Sequence, residues 1–212
     1  MNPRGLLPKL LLIGNRFSDP DVGSRIVEAV KCGVPWVQLR DHDADTATFL
    51  HSAESLVESL RAVRSDLLIS INSRVAVAEK LRCAVHLRFS GPQVDAARTL
   101  IPEGLPVGIS VHTFSEIEHT ASDYLIWSPV FETKSKPGQQ GTGLDALSQV
   151  CELASPIPVI AMGGVTPDAV EVCLASKAYG VSVLSGILAA DDVHASVNAY
   201  LDALHLEVVG HG

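Results

Sequence analysis

Residues 157–176 read IPVIAMGGVTPDAVEVCLAS and combine a strand, a turn and a helix in one short segment. The first part is continuously apolar, which is typical of a parallel strand that is buried on both faces. Gly163 and Gly164 follow as a turn. Thr166 then precedes Pro167, which is the pattern of an N-cap followed by the first helical position. The segment therefore predicts one strand–helix unit.

The same unit recurs along the chain. Candidate strands are the short apolar runs 10–13, 35–39, 67–72, 84–87, 106–111, 124–127, 157–161 and 180–184. Segments with helical periodicity are 45–64, 75–81, 94–100, 115–119, 144–153, 167–176 and 193–204. Such alternation predicts an α/β fold, a single (β/α)8 TIM barrel. The length of about 200 residues matches the lower size limit of that barrel. A doubly wound open sheet of this length usually has fewer strands. With no linker, we expect one domain over residues 1–212, with its core at about 10–206.

Composition argues against several classes of protein. The formal net charge is −8, so the chain lacks the basic face that a general nucleic-acid binder needs. The four cysteines have no CxxC or CxH spacing, which favours buried free thiols over a zinc site or a redox pair. The apolar run 10–13 is too short for a signal-peptide core or a membrane span. We therefore expect a cytoplasmic protein that binds neither nucleic acid nor membrane.

Glycines follow the last two predicted strands at their C-terminal ends, where barrels of this class carry their function. Gly163 and Gly164 follow the seventh strand, and Ser185 and Gly186 follow the eighth. Glycine turns that enter helices let backbone N–H groups approach an anion closely, and phosphate sites built from these two loops recur in this fold. The alternative is that the glycines only permit tight turns. The pattern favours a phosphate site.

Four side chains stand out at the same strand ends. Gln38 and Arg40 share one face of the second strand, so both are predicted to face the barrel interior, where an arginine needs an anionic partner. Lys136, after the sixth strand, is another candidate cation. His112 follows the fifth strand, and histidine titrates near neutrality, which suits proton transfer. A structural hydrogen bond at the rim explains His112 equally well.

Several motifs follow one another in a fixed order along the chain. They are Gln38-Leu39-Arg40, Asn72, Val85-His86-Leu87, Ser110-Val111-His112-Thr113, Pro129-Val130-Phe131, the stretch 158–167 and the stretch 183–187. Together they resemble the thiamine phosphate synthase and thiazole tautomerase (TenI) superfamily over residues of about 10–188. The resemblance implies a TIM barrel that binds a thiazole phosphate at its C-terminal face.

The resemblance also implies roles for individual residues. The residues that would contact phosphate or phosphoryl oxygens are Gly163, Gly164, Thr133, Ser135, Lys136, Ser185 and Gly186. Those that would hold a pyrimidine pyrophosphate are Gln38, Arg40 and Asn72.

Three departures from the synthase pattern bear on the expected activity. His42 stands where the synthase has a lysine, and Ser73 and Gly91 stand where it has two carboxylates that bind magnesium. Magnesium prefers oxygen ligands that include one or two carboxylates, so we expect no metal and no other cofactor. Arg88 offers a fixed cation in this region. His42 and Arg88 are therefore further candidate contacts to the substrate.

These departures favour the tautomerase branch of the superfamily. The leading hypothesis is a thiazole tautomerase, an isomerase that aromatises a carboxylated thiazole phosphate, with His112 moving the proton. The first alternative is a thiamine phosphate synthase with an altered magnesium site, which is the only case that requires magnesium. The second is a non-catalytic regulator that binds thiazole phosphate. The resemblance also suggests a homodimer.

Overall fold

The computed structural model describes residues 7–117, 121–133, 138 and 140–206, and its strands close into one barrel. The strands are β1 (Leu10–Asn15), β2 (Trp36–Arg40), β3 (Leu68–Asn72), β4 (Ala84–Arg88), β5 (Val107–Val111), β6 (Tyr124–Trp127), β7 (Val159–Met162) and β8 (Gly180–Val183). Every neighbouring pair is parallel, and β8 pairs with β1 to close the ring. The predicted (β/α)8 barrel is confirmed.

Helices alternate with the strands. They are α1 (Pro20–Lys31), α2 (Thr46–Val63), α3 (Val75–Leu81), α4 (Val94–Arg98), α5 (Gly143–Ala154), α6 (Pro167–Ala175), α7 (Ser185–Leu188) and α8 (Val193–Ala203). A 3-10 turn at Phe114–Glu116 occupies the start of the helix that was predicted at 115–119, and residues 118–120 lie outside the described part of the chain. Within that part, no helix combines the length and the apolar character that a membrane crossing requires.

The helical segments predicted from the sequence omit two of these helices. α1 buries Ile26, Ala29 and Val30, and Val22 and Val27 pack against the core beside them. These apolar residues recur at helical spacing, so the periodicity of α1 is present in the sequence and was overlooked. The start of α1 is fixed locally, because the Asp19 side chain accepts from the backbone N–H of Asp21. α7 has only 4 residues, fewer than a periodic pattern needs.

Side chains alternate between the barrel interior and the helix layer along each strand. In β2, Val37 and Leu39 join the large core beneath the helices, whereas Trp36 joins a smaller cluster that includes Tyr124. The rings of Trp36 and Tyr124 meet edge to face, with centroids 4.8 Å apart. Gly108 leaves room for this packing, because a Cβ there would collide with the phenol ring. Apolar bulk therefore fills the barrel near the start of β2 and β6, and polar groups occupy the ends of β2, β3 and β4.

The cysteines are structural. All four are free thiols, and Cys83, Cys151 and Cys173 are buried. Burial raises the pKa of each of these three thiols to about 11. They are therefore protonated near neutral pH. The expected buried free thiols are found at these three positions, whereas Cys32 is half-buried.

Candidate active site

A buried polar layer forms the floor of the barrel mouth. His86, on β4, pairs through Nδ1 with Tyr124 Oη at 3.1 Å and through Nε2 with Ser110 Oγ at 2.8 Å. Burial lowers the pKa of His86 to about 3, and the positive charge of Arg40 adds to this effect. His86 is therefore a neutral imidazole. The sequence places it in a motif but gives no signal of this network, because its partners come from distant strands.

Gln38 and Asn72 lie side by side on this floor, on β2 and β3. Gln38 Nε2 donates to Asn72 Oδ1 at 3.2 Å, and Asn72 Nδ2 donates to Ser73 Oγ at 3.2 Å. Gln38 Oε1 is buried and has no hydrogen-bond partner in the described part of the protein. An orphaned buried acceptor costs about 1–3 kcal/mol. This oxygen is therefore suited to accept a hydrogen bond from a ligand N–H group.

Arg40 and Arg88 end β2 and β4 and bring two cations to the same side of the mouth. Burial, followed by the charge of Arg88, lowers the pKa of Arg40. Arg40 Nε donates to His42 Nε2 at 2.9 Å, which requires a neutral His42 with its proton on Nδ1. Desolvation and the charges of Arg40 and Arg88 lower the pKa of His42. We call these three predicted site residues the basic cluster.

His112 follows β5 at the rim of the barrel. Its Nδ1 donates to the carbonyl oxygen of Ser128 at 3.0 Å, so in the neutral form of the ring Nε2 is the acceptor nitrogen. Its backbone N–H donates to Glu116 Oε2 at 2.6 Å, and the same carboxylate caps the 3-10 turn through Thr113. The ring is exposed. The structure therefore fixes the tautomer of His112 and leaves its Nε2 accessible.

Gly163 and Gly164 follow β7 with positive φ angles of 99° and 67°. A Cβ on Gly163 would lie 2.7 Å from Pro129 Cα, and a Cβ on Gly164 would collide with the carbonyl oxygen of Glu132. Phe131 N also donates to Gly163 O at 3.0 Å. Close packing against the loop after β6 is sufficient to require both glycines. Their contact with phosphate remains a prediction.

Tyr200, on α8, joins the loops that follow β7 and β8. Its Oη donates to the carbonyl oxygen of Val165 at 2.9 Å, and it occupies the space that a Cβ on Gly186 would need. Ser196 Oγ donates to the carbonyl oxygen of Gly186 at 2.6 Å. The N–H groups of Ser185 and Gly186 have no acceptor among the described residues. Tyr200 could not be recognised from the sequence, because a tyrosine in a helix gives no signal of a partner on a loop.

The remaining candidates occupy other positions. Ser135 and Lys136 lie outside the described residues, and Thr133 is half-buried just before them. Another arginine follows β3. This residue, Arg74, does not join the basic cluster, because its guanidinium lies 4.4 Å above the ring of Phe49 and donates to the segment before α2. Arg74 therefore fastens α2 to the barrel.

Comparison with known proteins identifies the family. The sequence profile of the family described as Thiamine monophosphate synthase matches residues 10–187. The chain belongs to this family.

Its relatives include two thiamine-phosphate synthases. One, from Albidiferax ferrireducens, is 38% identical over 79% of this chain and 77% of the relative. The other, from Pyrococcus furiosus, is 32% identical over 91% of this chain and 92% of the relative. The solved structure of thiamine phosphate pyrophosphorylase from Pyrococcus furiosus superposes with a TM-score of 0.79 at 28% identity, and covers 95% of this chain and 97% of that one.

These relatives correct the expected activity. The prediction of a thiazole tautomerase, and thus of an isomerase, is wrong, because relatives 27–38% identical over most of the chain are named thiamine-phosphate synthase. The solved structure carries a corresponding name. The error came from the missing carboxylates at Ser73 and Gly91. Without these carboxylates a magnesium ion is not available to hold a pyrophosphate, but positively charged side chains can also bind one.

Membership of this family implies magnesium, and the residues at the expected position do not fit it. Ser73, at φ 61°, accepts from Asn72, and Gly91 closes a turn by donating to the carbonyl oxygen of Arg88 at 2.8 Å. Asp41 Oδ1 accepts two backbone N–H groups of its own turn. Within the described ranges, no group of three His, Cys, Asp or Glu side chains is arranged to hold a metal ion. The nearby guanidinium groups would also repel a divalent cation.

Proposed function

We propose that this chain is a thiamine phosphate synthase, which couples a pyrimidine pyrophosphate to a thiazole phosphate. The observation that carries the proposal is a pair of anion-accepting regions at one barrel mouth. The basic cluster of Arg40, His42 and Arg88 lies at the ends of β2 and β4, and the glycine loops follow β7 and β8. In the closed order of eight strands, β4 is opposite β8. An enzyme that joins two anionic substrates needs both regions.

The coupling chemistry needs no proton transfer in its bond-forming step. The thiazole nitrogen donates its electron pair to the methylene carbon of the pyrimidine, and the carbon–oxygen bond breaks. The pyrophosphate leaves with that electron pair, and the thiazole nitrogen becomes positively charged. Stabilising the negative charge that grows on the leaving oxygen is therefore the main task of the protein. We assign His112 to substrate contact, since this step needs no base.

The two regions divide the substrates between them. Gln38 Oε1 lacks a donor, and an N–H group on a pyrimidine ring supplies one. The pyrophosphate then extends from the floor of the mouth towards the basic cluster. Residues assigned to the thiazole phosphate are Gly163, Gly164, Ser185 and Gly186, with Thr133, Ser135 and Lys136 assigned to phosphoryl oxygens. The position of α7 supports the first group, because a short extra helix after strand eight is a recurrent phosphate site in this fold.

A coupling assay with both substrates tests the proposal. We expect thiamine phosphate and pyrophosphate to appear in equal amounts, and only when both substrates are present. Gln38→Ala is expected to raise KM for the pyrimidine substrate about 10-fold or more. Gln149→Ala is the matched control, because Gln149 lies exposed on α5. Folded protein that produces no coupled product would overturn the assignment.

We further propose that the partners of this protein are these small molecules and neither nucleic acid nor membrane. We also propose a cytoplasmic location and, from the family resemblance, a homodimer. Sedimentation of the purified protein tests the dimer, and a monomer at micromolar concentration would contradict it.

A further inference from the structure

The basic cluster carries more positive charge than its surroundings neutralise. Arg40 is half-buried, and its side-chain hydrogen bond among the described residues goes to the neutral imidazole of His42. Neither Arg40 nor Arg88 forms an ion pair within the described part of the chain. The two neighbouring acids are engaged. Asp41 Oδ1 holds its own turn, and Asp43 lies 3.6 Å from Arg16 Nε.

The barrel itself holds the two guanidinium groups on one side of the mouth. Arg40 follows Gln38 on the interior face of β2, and Arg88 follows His86 on the interior face of β4. β3 runs between them and ends at Asn72. The two arginines therefore flank the end of β3, and their mutual repulsion is built into the strand positions. Two close guanidinium groups that are not paired with a carboxylate are unfavourable until an anion binds.

We propose that the basic cluster binds the pyrophosphate of the pyrimidine substrate directly, with guanidinium groups in place of a divalent metal. This inference rests on the proposed synthase function. Ser73 and Gly91 provide no carboxylate for a metal, and Arg88 supplies positive charge in the same region. Guanidinium groups suit this task because their planar N–H forks donate pairs of hydrogen bonds to phosphate oxygens.

The cluster acts on the leaving group. As the carbon–oxygen bond of the pyrimidine pyrophosphate breaks, its electron pair passes to the departing oxygen. The N–H groups of Arg40 and Arg88 stabilise the added negative charge. The His42 proton on Nδ1, which Arg40 does not use, is a further donor. The thiazole nitrogen supplies the electron pair of the new bond, so the step requires no oxidant and no added proton.

Titration calorimetry with inorganic pyrophosphate in EDTA tests the binding half of the inference. We expect the wild-type protein to bind, and Arg88→Gln to weaken binding about 10-fold or more. Lys31→Gln is the control, since it removes one exposed positive charge from the last turn of α1, at the opposite face of the barrel. It is expected to change affinity less than about 2-fold. Thermal unfolding checks that Arg88→Gln is folded. Binding that appears only with magnesium overturns the inference.

Coupling of both substrates in EDTA separates this inference from the proposed function. Coupling that persists in EDTA and falls at least about 10-fold in Arg88→Gln supports both. Coupling that requires magnesium keeps the synthase function and overturns the guanidinium site. Pyrophosphate binding in EDTA that is lost in Arg88→Gln, without any coupling, supports the basic cluster as an anion site and overturns the synthase function.

Discussion

Arg40 Nε lies 2.9 Å from His42 Nε2, so a permanent cation donates to a neutral imidazole at the mouth of the barrel. An imidazole nitrogen is a weaker partner for a guanidinium group than a phosphate oxygen. The contact is local, because His42 lies two positions beyond Arg40 on the chain. It therefore holds Arg40 near the mouth while an incoming pyrophosphate remains free to replace His42 as the acceptor.

Arg40→Lys tests whether the geometry of this cation matters as well as its charge. Lysine keeps the positive charge but loses the planar fork that pairs with two phosphate oxygens. We expect kcat/KM for the pyrimidine substrate to fall about 10-fold or more. Steady-state kinetics with the thiazole substrate saturating measures the effect. Unchanged kinetics would show that Arg40 contributes only charge.

The double variant Ser73→Asp, Arg88→Gly tests whether a guanidinium group takes the place of a magnesium ion in pyrophosphate binding. Aspartate tolerates the φ of 61° at position 73 better than most residues. The double variant removes one cation and adds one carboxylate, so its pyrophosphate binding is expected to become magnesium-dependent. Calorimetry with and without magnesium measures this change. Arg88→Gly alone is the control, and it is expected to bind weakly under both conditions.

His86 makes the fold sensitive to acid. Its pKa in the folded protein is about 3, whereas a histidine in an unfolded chain takes up a proton below about pH 6.5. Between these values the unfolded state binds more protons, so the free energy of unfolding decreases as the pH falls. At about pH 5 the loss due to His86 is about 2 kcal/mol.

Urea unfolding at several pH values measures this contribution. His86→Gln is expected to flatten the decrease in stability between about pH 6.5 and pH 5. His194→Gln is the control, because His194 is exposed on α8. If the two variants show the same pH dependence as the wild-type protein, His86 is not the responsible group.

Tyr200→Phe tests whether Tyr200 positions the loops after β7 and β8 for phosphate binding, in addition to stabilising the fold. The variant leaves the carbonyl oxygen of Val165 without its donor, which costs about 1–3 kcal/mol. It also loosens the packing beside Gly186, so we expect a higher KM for the thiazole phosphate. Tyr179→Phe is the matched control, because Tyr179 Oη donates to the carbonyl oxygen of Leu7 away from these loops. Both variants should unfold at lower temperature, and an equal rise in KM for both would contradict the anchoring role.

The barrel could be predicted from the sequence because each strand is a short apolar run. The run 157–161 became β7 (Val159–Met162), and the other runs match their strands equally closely. α1 was also predictable, because Val22, Ile26, Ala29 and Val30 recur at helical spacing, but it was overlooked. The bond from Tyr200 to Val165 joins residues 35 positions apart, a contact that depends on the final packing.

The candidate site was only partly predictable. Gln38, Asn72 and Arg40 share the mouth because strand alternation turns them to one face. The closeness of Arg88 to Arg40 depends on the strand order of the barrel, and no local pattern encodes it. The choice of activity was wrong because the absence of carboxylates at Ser73 and Gly91 was given more weight than the fixed cation Arg88 in the same region.

Product formation from both substrates in EDTA is the decisive measurement of coupling without a metal. We expect thiamine phosphate and pyrophosphate in a one-to-one ratio, at a rate that added magnesium does not raise. Either substrate alone should remain unchanged. A folded protein that forms no thiamine phosphate in either condition would contradict the assigned reaction, and product that forms only with magnesium would contradict the role given to Arg40 and Arg88.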